Sequence, residues 1–443
     1  MEIYTEASRV SGGFLHSGGR LHPVGHLRYN KTTVQAGQRL RRLLFRKEKE
    51  RKAKMLVYVL LLGWILLGGW FLCEVQGSRK AQDLYLLFSG AALVMLATFR
   101  YGIGFDYFNY QNIFLDISRL SLGEIFSSYV YQEFLGYALF NKLVAVLGGN
   151  YLVLLLLINL FLTGTALWFI RRYSKIPWLG VFLYVALQFF AHSMNLLRQS
   201  LAAAICLLGY EFLQRRQPVR FALVVLAAMT VHRSAVFMLF FYLIANWKPG
   251  PRQWIGVGVP ALVAYWFSMP LSRLVTQYVF TEYAGYLDTK YWRPLHWTYA
   301  IFPAVYFGLT ALFSQELLDR SPRNRLLINS SFYTFLIYLF GTHHMLLERY
   351  SVFLFMYGMA LVPEMVELFR EEGKRFGGRA RVLAASGAVL LGLSYFSFAA
   401  TRSTNGFHKV YPYVGLWDQA YQERVLQEME NPSQTGPDWQ SEK

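Results

Sequence analysis

Apolar residues run along this chain in long uninterrupted stretches separated by short polar or basic connections. Several stretches approach the ~20 residues that a helix needs to cross a bilayer. They fall at Met55 to Leu72, Gln82 to Phe99, Tyr151 to Ile170, Ile176 to Ala191, Asn195 to Leu213, Trp254 to Met269, Trp297 to Phe313, Leu326 to Thr342, Tyr350 to Phe369 and Val382 to Ala400. Val219 to Asn246 is too long for one span and too short for two, and His232 and Arg233 interrupt it. Two short helices meeting at His232 fit, because irregular backbone at depth is tolerated where it lines a cavity. Glu133 to Gly148 is shorter, carries Asn141 and Lys142, and either spans or lies in the interface. The pattern predicts an all-α polytopic membrane protein of about eleven to thirteen transmembrane helices.

Three regions follow. Residues 55–400 form the membrane domain, with a hydrophilic outer-face loop at 270–295, and residues 401–443 are a polar tail. Residues 1–54 hold 13 Lys or Arg against 4 Glu and too little apolar content for a core, so a basic, disordered extension is expected. The chain is 55% hydrophobic, 16% charged and carries a net charge of +18. No stretch joins a basic groove to a soluble fold, so the charge reads as topology information and not as nucleic-acid binding. Cys73 and Cys206 have no metal spacing.

Basic residues recur at every second connection: Arg171, Arg172 and Lys175; Arg215, Arg216 and Arg220; Lys248 and Arg252; Arg320, Arg323 and Arg325; then Arg370 to Arg381. Those connections are expected in the cytoplasm. The opposite face then collects Asn195 with Arg198, the His232 turn, the 270–295 stretch, His343 to Arg349, and HKVYPY from His408 to Tyr413. An outward-facing cavity is the economical reading. The side of RYGIGFDY depends on the start of the chain. A cytoplasmic 1–54 extension followed by two spans returns it inside, with Glu133 to Gly148 crossing to restore register. A start at Met55 puts it outside with Glu133 to Gly148 interfacial, and this second arrangement is the expected one.

The stretch NLLRQSLAAA, Asn195 to Ala204, places a guanidinium and two amides inside an apolar run. On one helix Asn195, Arg198, Gln199 and Ala202 share a face. A charge at membrane depth costs at least a few kcal/mol unless it meets an anion or a water-filled cavity. Snorkelling of the Arg to the headgroups is the alternative. In RYGIGFDYFNYQNIF, Gly102 and Gly104 permit a turn, and Arg100 and Asp106 bring opposite charges to the membrane edge. Alone, this glycine-rich loop is a weak phosphate signal, and an Arg100 to Asp106 surface salt bridge fits as well.

The order RYGIGFDY, then Glu133 with Phe134, Gly136 and Tyr137, then NLLRQSLAAA, then VHRSA (Val231 to Ala235), then Arg349 with Tyr350, then YPY, resembles the EpsG family. The resemblance covers roughly residues 55–415. Its most specific part is N-x-x-R-Q-x-x-A followed about 35 residues later by a His. It implies a Wzy-type polymerase of exopolysaccharide or capsule in the bacterial inner membrane. Such an enzyme joins polyprenyl-pyrophosphate-linked oligosaccharide repeats on the outer leaflet, in a fold similar to that of membrane lipid-linked glycosyltransferases. Other polysaccharide-assembly proteins are implied partners, beside the lipid bilayer.

Glycosyl transfer from a lipid diphosphate needs donors where the leaving oxygen gains charge, and Arg suits this with its planar fork. Arg198 is the first choice, with Arg349 and Arg100 behind it. His232 is the candidate proton acceptor, with a core histidine hydrogen-bonded at a helix break as the competing reading. Asp106 and Glu133 supply a base or hold a sugar hydroxyl, or else form surface pairs. Asn195, Gln199 and Tyr350 complete the expected substrate contacts. His343 and His344 beside Glu348 fit an ordinary interfacial loop better than a site. Tyr283, Tyr286, Tyr291 and Trp292 are candidates for stacking on sugars from a lid. No acidic cluster suggests a metal cage, so neither metal nor cofactor is expected. A flippase of lipid-linked sugars or a non-catalytic assembly partner are the rivals. A transporter would show internal repeats, and NLLRQSLAAA has no second copy.

Overall fold

The computed structural model describes residues 54–278, 297–343, 345–376, 379–402 and 408–423, and their regular structure is helical throughout. They belong to one compact unit, Lys52–Lys443. The expected 1–54 extension, apart from Lys54, lies outside the described residues, as do His344, most of the 270–295 loop with Tyr283, Tyr286, Tyr291 and Trp292, and much of the 401–443 tail.

Among the described residues, four helices are long and apolar enough to cross a bilayer: Lys54–Val75, Arg79–Thr98, Tyr151–Tyr173 and Arg379–Thr401. Counting three bent pairs as single spans raises the number to seven, and shorter apolar helices occupy other expected spans. The chain is a multi-pass membrane protein. Its helix starts follow local chemistry. Ser78 accepts from Ala81 N–H at 3.1 Å and Asn150 from Val153 N–H at 3.1 Å, while Pro177, Pro218 and Pro251 open the helices that follow basic turns. Interior faces meet in an aromatic and aliphatic core that includes Phe169, Tyr210, Tyr357, Phe182 and Phe355. The outer faces of Lys54–Val75 and Arg379–Thr401 leave residues such as Leu67 and Leu383 exposed, as lipid contact requires.

Helix breaks gather in the middle of the chain. Gln188 adopts a left-handed φ of 69° and bends Pro177–Ala186 against Phe189–Asn195 by 46°. NLLRQSLAAA is not the single helix its periodicity predicts, because Leu196, at φ −100° and ψ 64°, separates Asn195 from Leu197–Leu208. Val219 to Asn246 does divide at His232 as expected, into Pro218–Met229 and the turn and helix from Arg233 to Ile244. A twelve-residue helix is about 18 Å long and cannot cross ~30 Å of hydrocarbon alone. Leu135–Val146 is equally short. Tyr107–Arg119 lies across the start of Tyr151–Tyr173, with Tyr107 and Phe114 both against Tyr151 at 5.6 and 6.2 Å.

The two ends of the bundle differ in chemistry. One end carries ion pairs of the basic connections, including Arg171 with Asp83, Arg320 with Glu364, and Arg381 forked onto Glu74 while also bonded to Glu367. At the other end the N–H of Gly104 donates to Lys409 O at 2.9 Å and that of Asp106 to Asn195 Oδ1 at 3.4 Å. RYGIGFDY therefore shares an end with Asn195 and His408. Asn109 is exposed there, and both described cysteines are buried. A cysteine at Asn109 should react with an impermeant thiol reagent in intact cells. Protection until the membrane is broken would place this end in the cytoplasm.

Candidate functional site

The site is built where the helix breaks meet. Gly104 crosses Met194 so closely that a Cβ there would lie 2.8 Å from the Met194 carbonyl oxygen, and its φ of +91° is one that L side chains rarely adopt. That crossing delivers Asp106 to Asn195. Arg100 works from beneath. It is fully enclosed, donates to the carbonyls of Ala97 and Met194, and lies 5.6 Å from the Tyr107 ring. The expected substrate-binding role for Arg100 and its surface pair with Asp106 are both corrected by this burial, since the guanidinium serves backbone carbonyls that helix ends leave open.

Arg198 lies over the face of Phe134 at 4.1 Å, and its backbone N–H donates to the Tyr110 hydroxyl at 3.5 Å. Its Nε is buried with no hydrogen-bond partner among the described residues. Gln199, one position on, donates to the Arg349 carbonyl at 3.0 Å and so ties the start of the Leu197–Leu208 helix to a late turn. Gln199 thus holds the protein together where substrate contact was expected. Among the described residues neither Arg198 nor Arg349 forms an ion pair.

Both guanidinium charges act on Asp106 and His232. Burial raises the Asp106 carboxyl above its ordinary value, with Arg349 and then Arg198 opposing the rise. Nδ1 of His232 accepts from Ser234 N–H at 3.3 Å and lies 2.7 Å from the Ser234 hydroxyl, capping the turn that follows. The proton of the neutral ring therefore sits on Nε2, which makes His232 a donor. The proton-accepting role expected of His232 does not suit this tautomer.

Among the other expected residues, Glu133 faces Arg233 at 3.8 Å with both half-exposed at the edge, and Tyr350 packs on Phe237 at 5.6 Å. Asn195 amide donates to Nδ1 of His408 at 3.1 Å. His343 belongs to packing, stacked on Tyr265 at 3.9 Å and bonded to Ser268. The structure thus gathers Asp106, Asn195, Arg198, His232 and Arg349, and adds Tyr110, Phe134, His192 and His408. His192 lies three residues before Asn195, a spacing that was visible in the sequence, and its Nδ1 meets the Ser200 hydroxyl at 2.8 Å. Tyr110 carried no such signal, because an aromatic in contact with other rings reads like any core residue, and Phe134 stood out only in the family resemblance. Two guanidinium groups without carboxylates, one carboxylate of raised pKa and one neutral imidazole donor can together bind a polyanion and remove a proton beside it.

A family model described as "EpsG family" matches residues 83–414. Comparison with curated proteins and with solved structures gives no match.

Gly104→Ala should disrupt this site before any other part of the fold. The left-handed φ and the Met194 contact together predict a cost of about 1–3 kcal/mol. The purified variant should melt at lower temperature and lose function, and an unchanged melting midpoint would contradict the close crossing.

Proposed function

The chain belongs to the EpsG family, and from that membership we propose that it polymerises polysaccharide from polyprenyl-pyrophosphate-linked oligosaccharide repeats at the outer face of the bacterial inner membrane. The observation that carries this reading is the pair Arg198 and Arg349, two guanidinium groups without ion-pair partners among the described residues, acting on one carboxylate and one imidazole. A diphosphate supplies the missing charge, and Arg binds its oxygens two at a time. The position of the basic connections at the opposite end supports an outward-facing site.

The reaction then runs as follows. The acceptor sugar hydroxyl attacks the anomeric carbon of the lipid-linked repeat, and the bond from that carbon to the diphosphate oxygen breaks with its electron pair leaving on the diphosphate. Arg198 and Arg349 stabilise that charge as it develops, which is where preformed donors act most strongly. The hydroxyl proton passes to the Asp106 carboxylate, whose raised pKa makes it a better base than a solvated one. His232 Nε2–H donates to a diphosphate or sugar oxygen. Asn195 holds the Asp106 backbone. Glu133 and Tyr350, near the rim and the Arg349 turn, contribute to oligosaccharide contacts.

Arg198→Lys should lower the rate of in vitro extension of purified lipid-linked repeats on the order of 10²–10³-fold, because a point charge cannot replace the fork. Repeats should accumulate on the outer leaflet of an Arg198→Ala strain, open to added lectins. Inner-leaflet accumulation with flippase activity unchanged would sink the polymerase reading and favour a transporter.

The pH dependence has a definite sign. Asp106 works deprotonated, so kcat/KM should rise with pH through a limb above the usual carboxylate range, and Asp106→Asn should remove the limb with the activity. Arg349 favours the charged carboxylate, so Arg349→Gln should move the limb to higher pH as well as slow the reaction. A limb that stays in place in this variant would show that Arg349 does not act on the base.

A further inference from the structure

Behind Asp106 stands a pair of neutral hydrogen-bonding groups that glycosyl transfer itself does not call for. Asn195 is their centre. Its side-chain oxygen accepts from Asp106 N–H at 3.4 Å, and its amide nitrogen lies 3.1 Å from Nδ1 of His408. An Asn side chain has one accepting end and one donating end, so the two contacts fix each other. With Nδ1 of His408 as acceptor, the Asn195 oxygen must face Asp106.

His408 is held firmly for this task. It is 7% exposed, and the His192 ring packs edge-on against it at 5.1 Å. Burial lowers its pKa to about 3, so near neutral pH the ring is uncharged and Nδ1 accepts from the Asn195 amide. His408 and Lys409 are consecutive non-glycine residues with φ of 57° and 49°, a conformation that persists only where surrounding contacts impose it. Here Gly104 N–H donates to the Lys409 carbonyl at 2.9 Å and the Tyr58 hydroxyl to the Val410 carbonyl at 2.8 Å. Strained backbone, a buried neutral ring and an oriented amide all converge on the carboxylate-bearing turn.

We propose that His408 is a positioning residue, which through Asn195 aims Asp106 at the acceptor hydroxyl without touching substrate. The proposal rests on the polymerase reading above, and it assigns the C-terminal segment a part in catalysis. Loss of the Nδ1 acceptor frees the Asn195 amide to rotate, and the Asp106 turn then loses its fixed partner while both arginines stay in place. Turnover should suffer and substrate binding should not.

The test uses the purified full-length protein extending lipid-linked repeats. His408→Ala should lower kcat on the order of 10- to 100-fold, the scale of a small misplacement of a reacting group, with KM unchanged. His408→Asn, whose side-chain oxygen can take the place of Nδ1 as acceptor, should recover most of the loss. Asn195→Ala combined with His408→Ala should be no worse than Asn195→Ala alone, since residues of one relay are not additive. Where His408→Ala lowers the melting midpoint, His408→Asn against His408→Leu makes the same comparison between side chains of near-equal size. Wild-type kcat in His408→Ala, equal impairment of the Asn and Leu variants, or additive losses would each overturn the relay. Extension by the wild type and none by Arg198→Ala, beside a fully active His408→Ala, removes the relay alone, whereas no extension by the wild-type protein removes the polymerase reading beneath it.

Discussion

The site depends on the cost of keeping guanidinium groups in a membrane protein without carboxylate partners. Arg198 and Arg349 carry no ion pair among the described residues. Arg381, by contrast, is met by Glu74 and Glu367. The fold pays for Arg198 only in part. Its contact with the Phe134 face contributes about 0.5–2 kcal/mol, and its Nε is buried without a hydrogen-bond partner among the described residues. The balance favours an incoming anion. Partial exposure of Arg198, Arg349, Asp106 and His232 keeps that anion's route open.

Interrupted helices supply the geometry. A continuous helix would satisfy its backbone internally and present side chains on one stripe. Breaks at Gln188, Leu196 and His232 instead leave backbone groups that polar side chains must meet, and this binds distant parts of the chain to one another. Arg100 meets the Met194 carbonyl, Gln199 the Arg349 carbonyl, and the His232 ring caps Ser234. These polar residues are structural for the same reason that their neighbours are available for chemistry. Each secures a helix end and thereby aims the next side chain.

The C-terminal segment closes the arrangement from outside the helix bundle. Backbone bonds join Tyr101 to Val414, Gly104 to Lys409 and Leu416 to Phe99, and the Tyr411 and Tyr413 hydroxyls reach Gln188 and the Leu96 carbonyl. Lys54 pairs with Asp418 at 2.5 Å, so the beginning of the first long helix is tied to the same segment. Residues more than three hundred positions apart thus share one end of the molecule. Their short polar and aromatic stretches make little sense singly, and they fit once seen as a seam around Asp106.

Helical spans, the break at His232 and the segregation of basic connections were all legible in the residue order. Each rests on periodicity or on the transfer cost of a charge, and both act locally. The extent of each helix was less legible, because the break at Leu196 answers to packing around Met194 and Asn195 and not to any breaker residue in NLLRQSLAAA. Sequence could rank arginines but could not tell an accessible one from a buried one. Arg100 and Arg198 each lie beside a glycine-rich or small-residue stretch, and only the tertiary structure turns one toward backbone carbonyls and leaves the other beside Asp106. His232 shows the same division. Its residue type and place at a break were written in the chain, while its tautomer was decided by the Ser234 N–H that folding brings to Nδ1, because hydrogen bonding, and not composition, chooses which ring nitrogen keeps the proton.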